Sequence, residues 1–171
     1  MHRLCLILFL AAPAAATAQG ASAFIGDWEL ISFFQPDSTG GQHNQWGPAP
    51  LGIIHYSSSG MMAAQLYDER RKPFTVPNFQ DVSPAEARDA FVGLASYFGT
   101  FAVDTVAKTV THTVQGAMAP DWIGRQLVRG YRFLTANRIE LRVITGTDGK
   151  PTKFGQVVVW ERIPPGQPGA R

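Results

Sequence analysis

The sequence predicts an all-β domain, an antiparallel barrel of eight strands with one helix inserted before its middle strands. Three observations carry that expectation. Short runs of alternating apolar and polar residues recur along most of the chain, the period of a strand with one face buried. Clusters of Gly, Pro, Ser, Asp and Asn separate those runs at turn positions. One segment alone carries strong helix signals, and no repeat at a solenoid period is present.

The amino terminus stands apart from this pattern. Met1 to Arg3 give a short basic start, Leu4 to Leu10 a continuous apolar run, and Ala11 to Ala18 small residues, with Ala16 and Ala18 placed for cleavage before Gln19. That is the pattern of a secretory signal peptide, too short and too rich in alanine for a permanent membrane anchor. The expected leader is residues 1–18, with a cut after Ala23 as the alternative, and the expected destination is the periplasm or the exterior. The 171 residues then leave room for one domain, expected over residues 24–162.

Cys5 leaves with the leader, so the mature chain holds no cysteine and neither thiol catalysis nor thiolate metal ligation is available to it. Arg3 leaves too, and fourteen basic side chains face thirteen acidic ones, a net charge of +1. Without a Lys/Arg stripe or charge block, no nucleic acid or anionic membrane is expected as a partner. A composition that is 45% hydrophobic lets a core alone hold the domain.

The elements follow in order. Phe24 to Phe34 reads as the first strand, followed by a polar, Gly-rich stretch from Gln35 to Pro50. Leu51 to Tyr56 and Met61 to Tyr67 form a hairpin around Ser57-Ser58-Ser59-Gly60. A Pro-containing loop leads to Ser83-Pro84-Ala85-Glu86, a capping box with proline at the first helical position. Ala87, Ala90, Phe91 and Leu94 follow at helical spacing and are expected to share one buried face. Tyr97 to Val103, Lys108 to Gly116, Gln126 to Leu134, Arg138 to Thr145 and Phe154 to Arg162 complete the strands. The last is reached through a turn at Thr147-Asp148-Gly149-Lys150, and a Pro/Gly-rich tail over 163–171 is expected to be disordered. Eight strands suffice to close a barrel whose interior holds side chains or one small ligand. A two-sheet sandwich would show the same pattern.

Particular residues narrow the choice. Gly26-Asp27-Trp28 resembles the G-x-W signature of lipocalins, and Trp160-Glu161-Arg162 resembles the position whose arginine packs on that tryptophan. Tyr97-Phe98-Gly99-Thr100-Phe101, Val110-Thr111-His112, Gly116, Pro120-Asp121-Trp122-Ile123-Gly124 and Arg129 resemble the bacterial and fungal lipocalin-like domain family, over roughly Phe24 to Arg162. The chain departs from ordinary lipocalins in lacking their T-D-Y motif, their cysteines and their helix after the last strand. The resemblance implies a calycin-type barrel, with Trp28 and Arg162 closing one end. It fixes a fold better than a ligand.

Period-two faces place the candidate site residues. With a four-residue turn over Asp104 to Ala107, Val103 faces Lys108, Phe101 faces Val110, and Gly99 faces His112. Tyr97, Phe101, Val103, Val110, Val114 and His112 then point inward, while Thr109, Thr111 and Thr113 face water. Leu127, Arg129, Tyr131 and Phe133 are expected inward on the next strand, as are Ile139, Leu141 and Val143, and Met62, Ala64 and Leu66. His55 and Tyr56 point to opposite faces, and which one is inward stays open.

The expected function is binding of a small, largely apolar ligand inside the barrel among Met62, Phe101, Val110, Tyr131 and Leu141. His112 and Arg129 would take its polar end, with Trp122 at the mouth. An arginine inside an apolar barrel keeps its charge and needs a partner. The alternatives are a cyclase- or isomerase-type enzyme with His112 as acid/base and Arg129 or Tyr131 steadying negative charge, or a packed barrel acting through its surface. In a purely structural role His112 would bond a backbone carbonyl, Arg129 would pair with Glu161 or Asp121, and Trp122 would plug one end. The stretch from Gln35 to Pro50, with His43 and Trp46, reads as a lid or as a surface loop. His43, His55 and His112 are too scattered to suggest a metal site, and no cofactor is expected.

Overall fold

The computed structural model describes residues 20–145 and 150–166. The expected leader over 1–18, most of the turn at Thr147 to Lys150 and the tail beyond Gly166 lie outside the described residues.

The strands are β1 (Gly26–Pro36), β2 (Gln42–Asn44), β3 (Leu51–Tyr56), β4 (Met61–Tyr67), β5 (Leu94–Asp104), β6 (Thr109–Ala117), β7 (Gln126–Thr135), β8 (Arg138–Val143) and β9 (Val157–Arg162), with helix α1 (Pro84–Val92) before β5. Each strand from β3 to β9 pairs with its sequence neighbour, β1 pairs with β3, and β9 pairs back onto β1. Every pairing is antiparallel. The sheet therefore closes, which excludes the sandwich. Eight strands make the barrel. The short β2, inside the stretch read as a loop, adds to the far half of β1 through Phe34 to Pro36.

Three local expectations need correction. The β5–β6 register is Val103↔Val110 and Phe101↔His112, with Gly99 opposite Val114. The connecting loop runs over Thr105 to Lys108 and not over Asp104 to Ala107, because Lys108 takes a left-handed conformation (φ 54°) and the Asp104 carboxylate accepts from the Val106 and Ala107 amides. The shift is two residues, so every side chain keeps its face. Tyr97, His112 and Val114 are inward as expected.

The last strand begins at Val157, not Phe154. Its approach stays packed on the end of β8. Thr145 bridges Pro151, the Thr152 amide donates to Ile144 O at 3.0 Å, and a Cβ on Gly155 would sit on the Val143 carbonyl oxygen. The third correction concerns α1. Its capping box forms, with Ser83 Oγ accepting from the Glu86 amide, but none of its residues is buried. Phe91 and Val92 are 51% and 60% exposed, Ala87 is exposed, and Leu94 belongs to β5.

Hydrogen bonds at its ends hold α1, in place of a buried face. Glu86 accepts from the Thr75 amide and hydroxyl, and the Asp68 amide donates to Gly93 O at 2.9 Å. Replacing the cap, Ser83→Ala, is expected to cost about 1 kcal/mol. Because α1 lies outside the core, that loss should appear as faster amide exchange across residues 84–92 with the urea midpoint of the whole domain nearly unmoved.

Candidate functional site

One end of the barrel is sealed. The chain entering β1 crosses it and inserts the Phe24 ring, 0% exposed, edge-on to Tyr56, Tyr131 and Phe133 at centroid distances of 5.4, 5.0 and 5.4 Å. Trp28 Nε1 donates to Phe24 O at 2.7 Å. The Arg162 guanidinium lies 4.0 Å over the Trp28 ring and donates to Ile25 O at 2.6 Å and Ala23 O at 2.7 Å. Stacking leaves the edge N–H groups of the guanidinium free for those carbonyls, so one side chain serves both contacts. Tyr131 is thereby packed against the seal.

Above the seal lies His112, 1% exposed. Its Nε2 is 2.8 Å from the Tyr56 hydroxyl and its Nδ1 2.9 Å from the Tyr97 hydroxyl. Burial, reinforced by the nearby Arg129 charge, pushes its pKa down to about 3. A neutral imidazole has one N–H and one acceptor nitrogen, and two phenols match that pair. The hydroxyls, not a backbone carbonyl, satisfy the ring.

Tyr56 is thus the inward member of its pair. His55 faces water, with Nδ1 2.6 Å from Asp27. The hairpin decides this: Tyr56 pairs with Met62, and Ser57 N donates to Met61 O at 2.8 Å. The loop is therefore three residues closing at Gly60 (φ +84°) and not four, which sets the parity. Met62, Val110 and Leu141 are buried in the core around this column, and Phe101 lies edge-on to Tyr56 at 4.8 Å.

The opposite end keeps a cavity of about 280 Å³, with Trp122, Leu127, Arg129, Val143 and Thr145 in its wall. Arg129 enters from β7 beside Val110. Its charge partly offsets the rise that burial imposes on Tyr97. Neither expected carboxylate pairs with it, since Asp121 pairs with Arg125 at 3.4 Å and Glu161 with Arg138 at 2.8 Å. Among the described residues no carboxylate forms an ion pair with Arg129. Trp122 stands in a short turn, Pro120–Trp122, with its ring 6.0 Å from Tyr97, at the end opposite Trp28. It walls the mouth and does not plug the base.

The 35–50 stretch is folded onto β1 beside that mouth. Trp46 packs edge-on against Phe33 at 4.9 Å, and His43 bonds Asp37 at 2.9 Å. A broader cleft of about 620 Å³ lies outside the barrel, between α1 and residues 68–75. Its rim mixes charges of both signs, and some are already engaged, Asp68 with Arg70 and Glu86 with Thr75. Among the described residues no cluster of three or more His, Cys, Asp or Glu could hold a metal ion. No helix among them is long and apolar enough to cross a membrane.

Residues 25–163 match a family model described as a lipocalin-like domain. None of the curated proteins compared matches the chain. Seven chains of solved structures do, among them one described as the de novo design of a fluorescence-activating beta barrel. It is 13% identical, over 84% of this chain and 97% of that one, with a TM-score of 0.40.

Proposed function

The chain belongs to the lipocalin-like domain family, and from that premise we propose that it is an exported carrier holding one small, largely apolar molecule at the open end of the barrel. The observation that carries this reading is the asymmetry of the two ends. Phe24, Trp28 and Arg162 seal one, while the other keeps a cavity walled by Trp122, Leu127 and Val143. Apolar burial supplies the affinity, at about 25 cal/mol per Å² before ordering costs. Export to the periplasm or exterior rests on the leader composition of Met1 to Ala18.

His112 takes a structural role here, different from the ligand contact its position in the sequence suggested. Both ring nitrogens are engaged by tyrosines, and a group that protonates only near pH 3 is a poor acid/base at neutral pH. The enzyme alternative loses its main residue by that argument.

Native mass spectrometry of protein taken from its own exported fraction tests the carrier reading. A bound organic mass is expected, lost when Leu127, at the cavity wall, becomes Glu. Protein that arrives without a bound mass and fails to enhance the fluorescence of N-phenyl-1-naphthylamine would rule the carrier out.

A further inference from the structure

Resting on that reading, we propose that the ligand is an amphipathic monocarboxylate whose head group is held by Arg129 and Thr145. Two independent features of the mouth cavity point to it. Arg129 brings a permanent charge into the wall, and its hydrogen bonds, to Val128 O at 3.3 Å and to the Tyr97 hydroxyl, leave some of its five donors unused. Thr145 presents a hydroxyl oxygen that is shut off from solvent and has no hydrogen-bond partner, and it lines the same cavity. A buried hydroxyl without a partner costs free energy, so it suits a group that arrives later.

Three other polar side chains nearby are already satisfied. The Thr152 hydroxyl donates to Val143 O at 3.0 Å, the Gln35 amide donates to Phe154 O, and Tyr97 is engaged with His112. Among the described residues the cavity wall keeps a cation without a carboxylate partner and a hydroxyl without a hydrogen bond, both able to donate. An amine head would be repelled, and an alcohol would leave the guanidinium without a counter-charge. A carboxylate accepts two N–H bonds in the fork geometry of arginine and one O–H bond besides. The tail would lie against Trp122, Leu127 and Val143. A space of 280 Å³ is roughly nine water molecules at about 30 Å³ each, which suits a short chain.

Calorimetric titration with octanoate, octanol and octylamine, probes of equal length, separates the head group from the cavity. Octanoate is expected to bind about 10- to 100-fold more tightly than octanol, with octylamine weakest. Arg129→Gln should bring octanoate down to the octanol level and leave octanol unchanged. Thr145→Val should weaken octanoate about three- to tenfold. The contrast among the three probes on the unaltered protein needs no variant to fold. Equal binding of octanoate and octanol would overturn the carboxylate assignment and leave the cavity standing. Binding of none of the three would remove the cavity reading itself.

Discussion

Lowering the pH from about 6.5 to about 3.5 is expected to cost the fold on the order of 4 kcal/mol through His112 alone. The folded protein holds its pKa at about 3, whereas an unfolded chain protonates the same ring near 6.5. Between those values the unfolded state binds a proton that the native state does not. Stability is therefore complete above about pH 6.5 and falls by about 1.4 kcal/mol for each unit below it, levelling off only under pH 3. Among the described residues no charge acts on the ring to reverse this sign. Tyr56 and Tyr97 have their pKa values pushed up by burial and stay neutral, and Arg129 is positive.

Carboxylates act in a lower window. Hydrogen bonds from Thr39 hold Asp37 well below its usual range, and those from Ser83 and Thr75 take Glu86 down to about 2. Both lose their contribution only as pH falls below about 4.5. Urea unfolding at pH 7 and pH 5, compared between the unaltered protein and His112→Gln, isolates this histidine from His43 and His55, with an expected difference of about 2 kcal/mol in the loss. The variant, whose amide can donate to one tyrosine and accept from the other, should start less stable and lack that loss across the interval. An unaltered protein that loses no more stability between pH 7 and pH 5 than His112→Gln would contradict a neutral His112 held between two phenols.

Truncating the base plug, Phe24→Ala, is expected to destabilise the domain by about 3–5 kcal/mol. The ring is 0% exposed and meets three aromatic rings edge-on, so its removal forfeits both transfer energy and packing. Tyr56, Tyr131 and Phe133 stand on different strands, β3 and β7, and cannot collapse inward without breaking barrel register. The void should therefore persist. Equilibrium urea denaturation measures the cost, and a loss below about 1.5 kcal/mol would mean that the base does not depend on this plug. Leu127, at the far end, should line its cavity unchanged.

The barrel was legible in the sequence because period-two burial and turn residues repeat eight times, and because closure needs only that count. Face assignment survived an incorrect loop. The β5–β6 register differs by two residues from the expected one, and an even shift leaves His112 inside. The β3–β4 hairpin shows the opposite sensitivity. A single residue in the loop at Ser57 to Gly60 decides whether His55 or Tyr56 points inward, and no composition rule counts that residue. The helix misled because apolar spacing at Ala87, Ala90 and Phe91 signals burial only where a partner surface exists. Here the 68–75 segment holds α1 by its ends, and the barrel wall does not receive it. Arg129 was legible as an inward charge. Thr145 was not, since an orphaned hydroxyl is a property of the packed neighbourhood.

On the proposed reading of residues 1–18 as a cleaved leader, the contact between Arg162 and the Ala23 carbonyl bears on where the cut would fall. Hydrolysis after Ala18 leaves five residues ahead of Phe24, keeping both that carbonyl and the Ala21 oxygen that accepts from the Phe24 amide at 3.0 Å. Hydrolysis after Ala23 would strip both acceptors away. It would also turn the Phe24 nitrogen into an ammonium ion beside the Arg162 guanidinium, inside the seal. A cut at the earlier bond would keep the Ala21 and Ala23 carbonyls that complete the barrel floor, whereas the later bond would leave two cations competing for one dry corner.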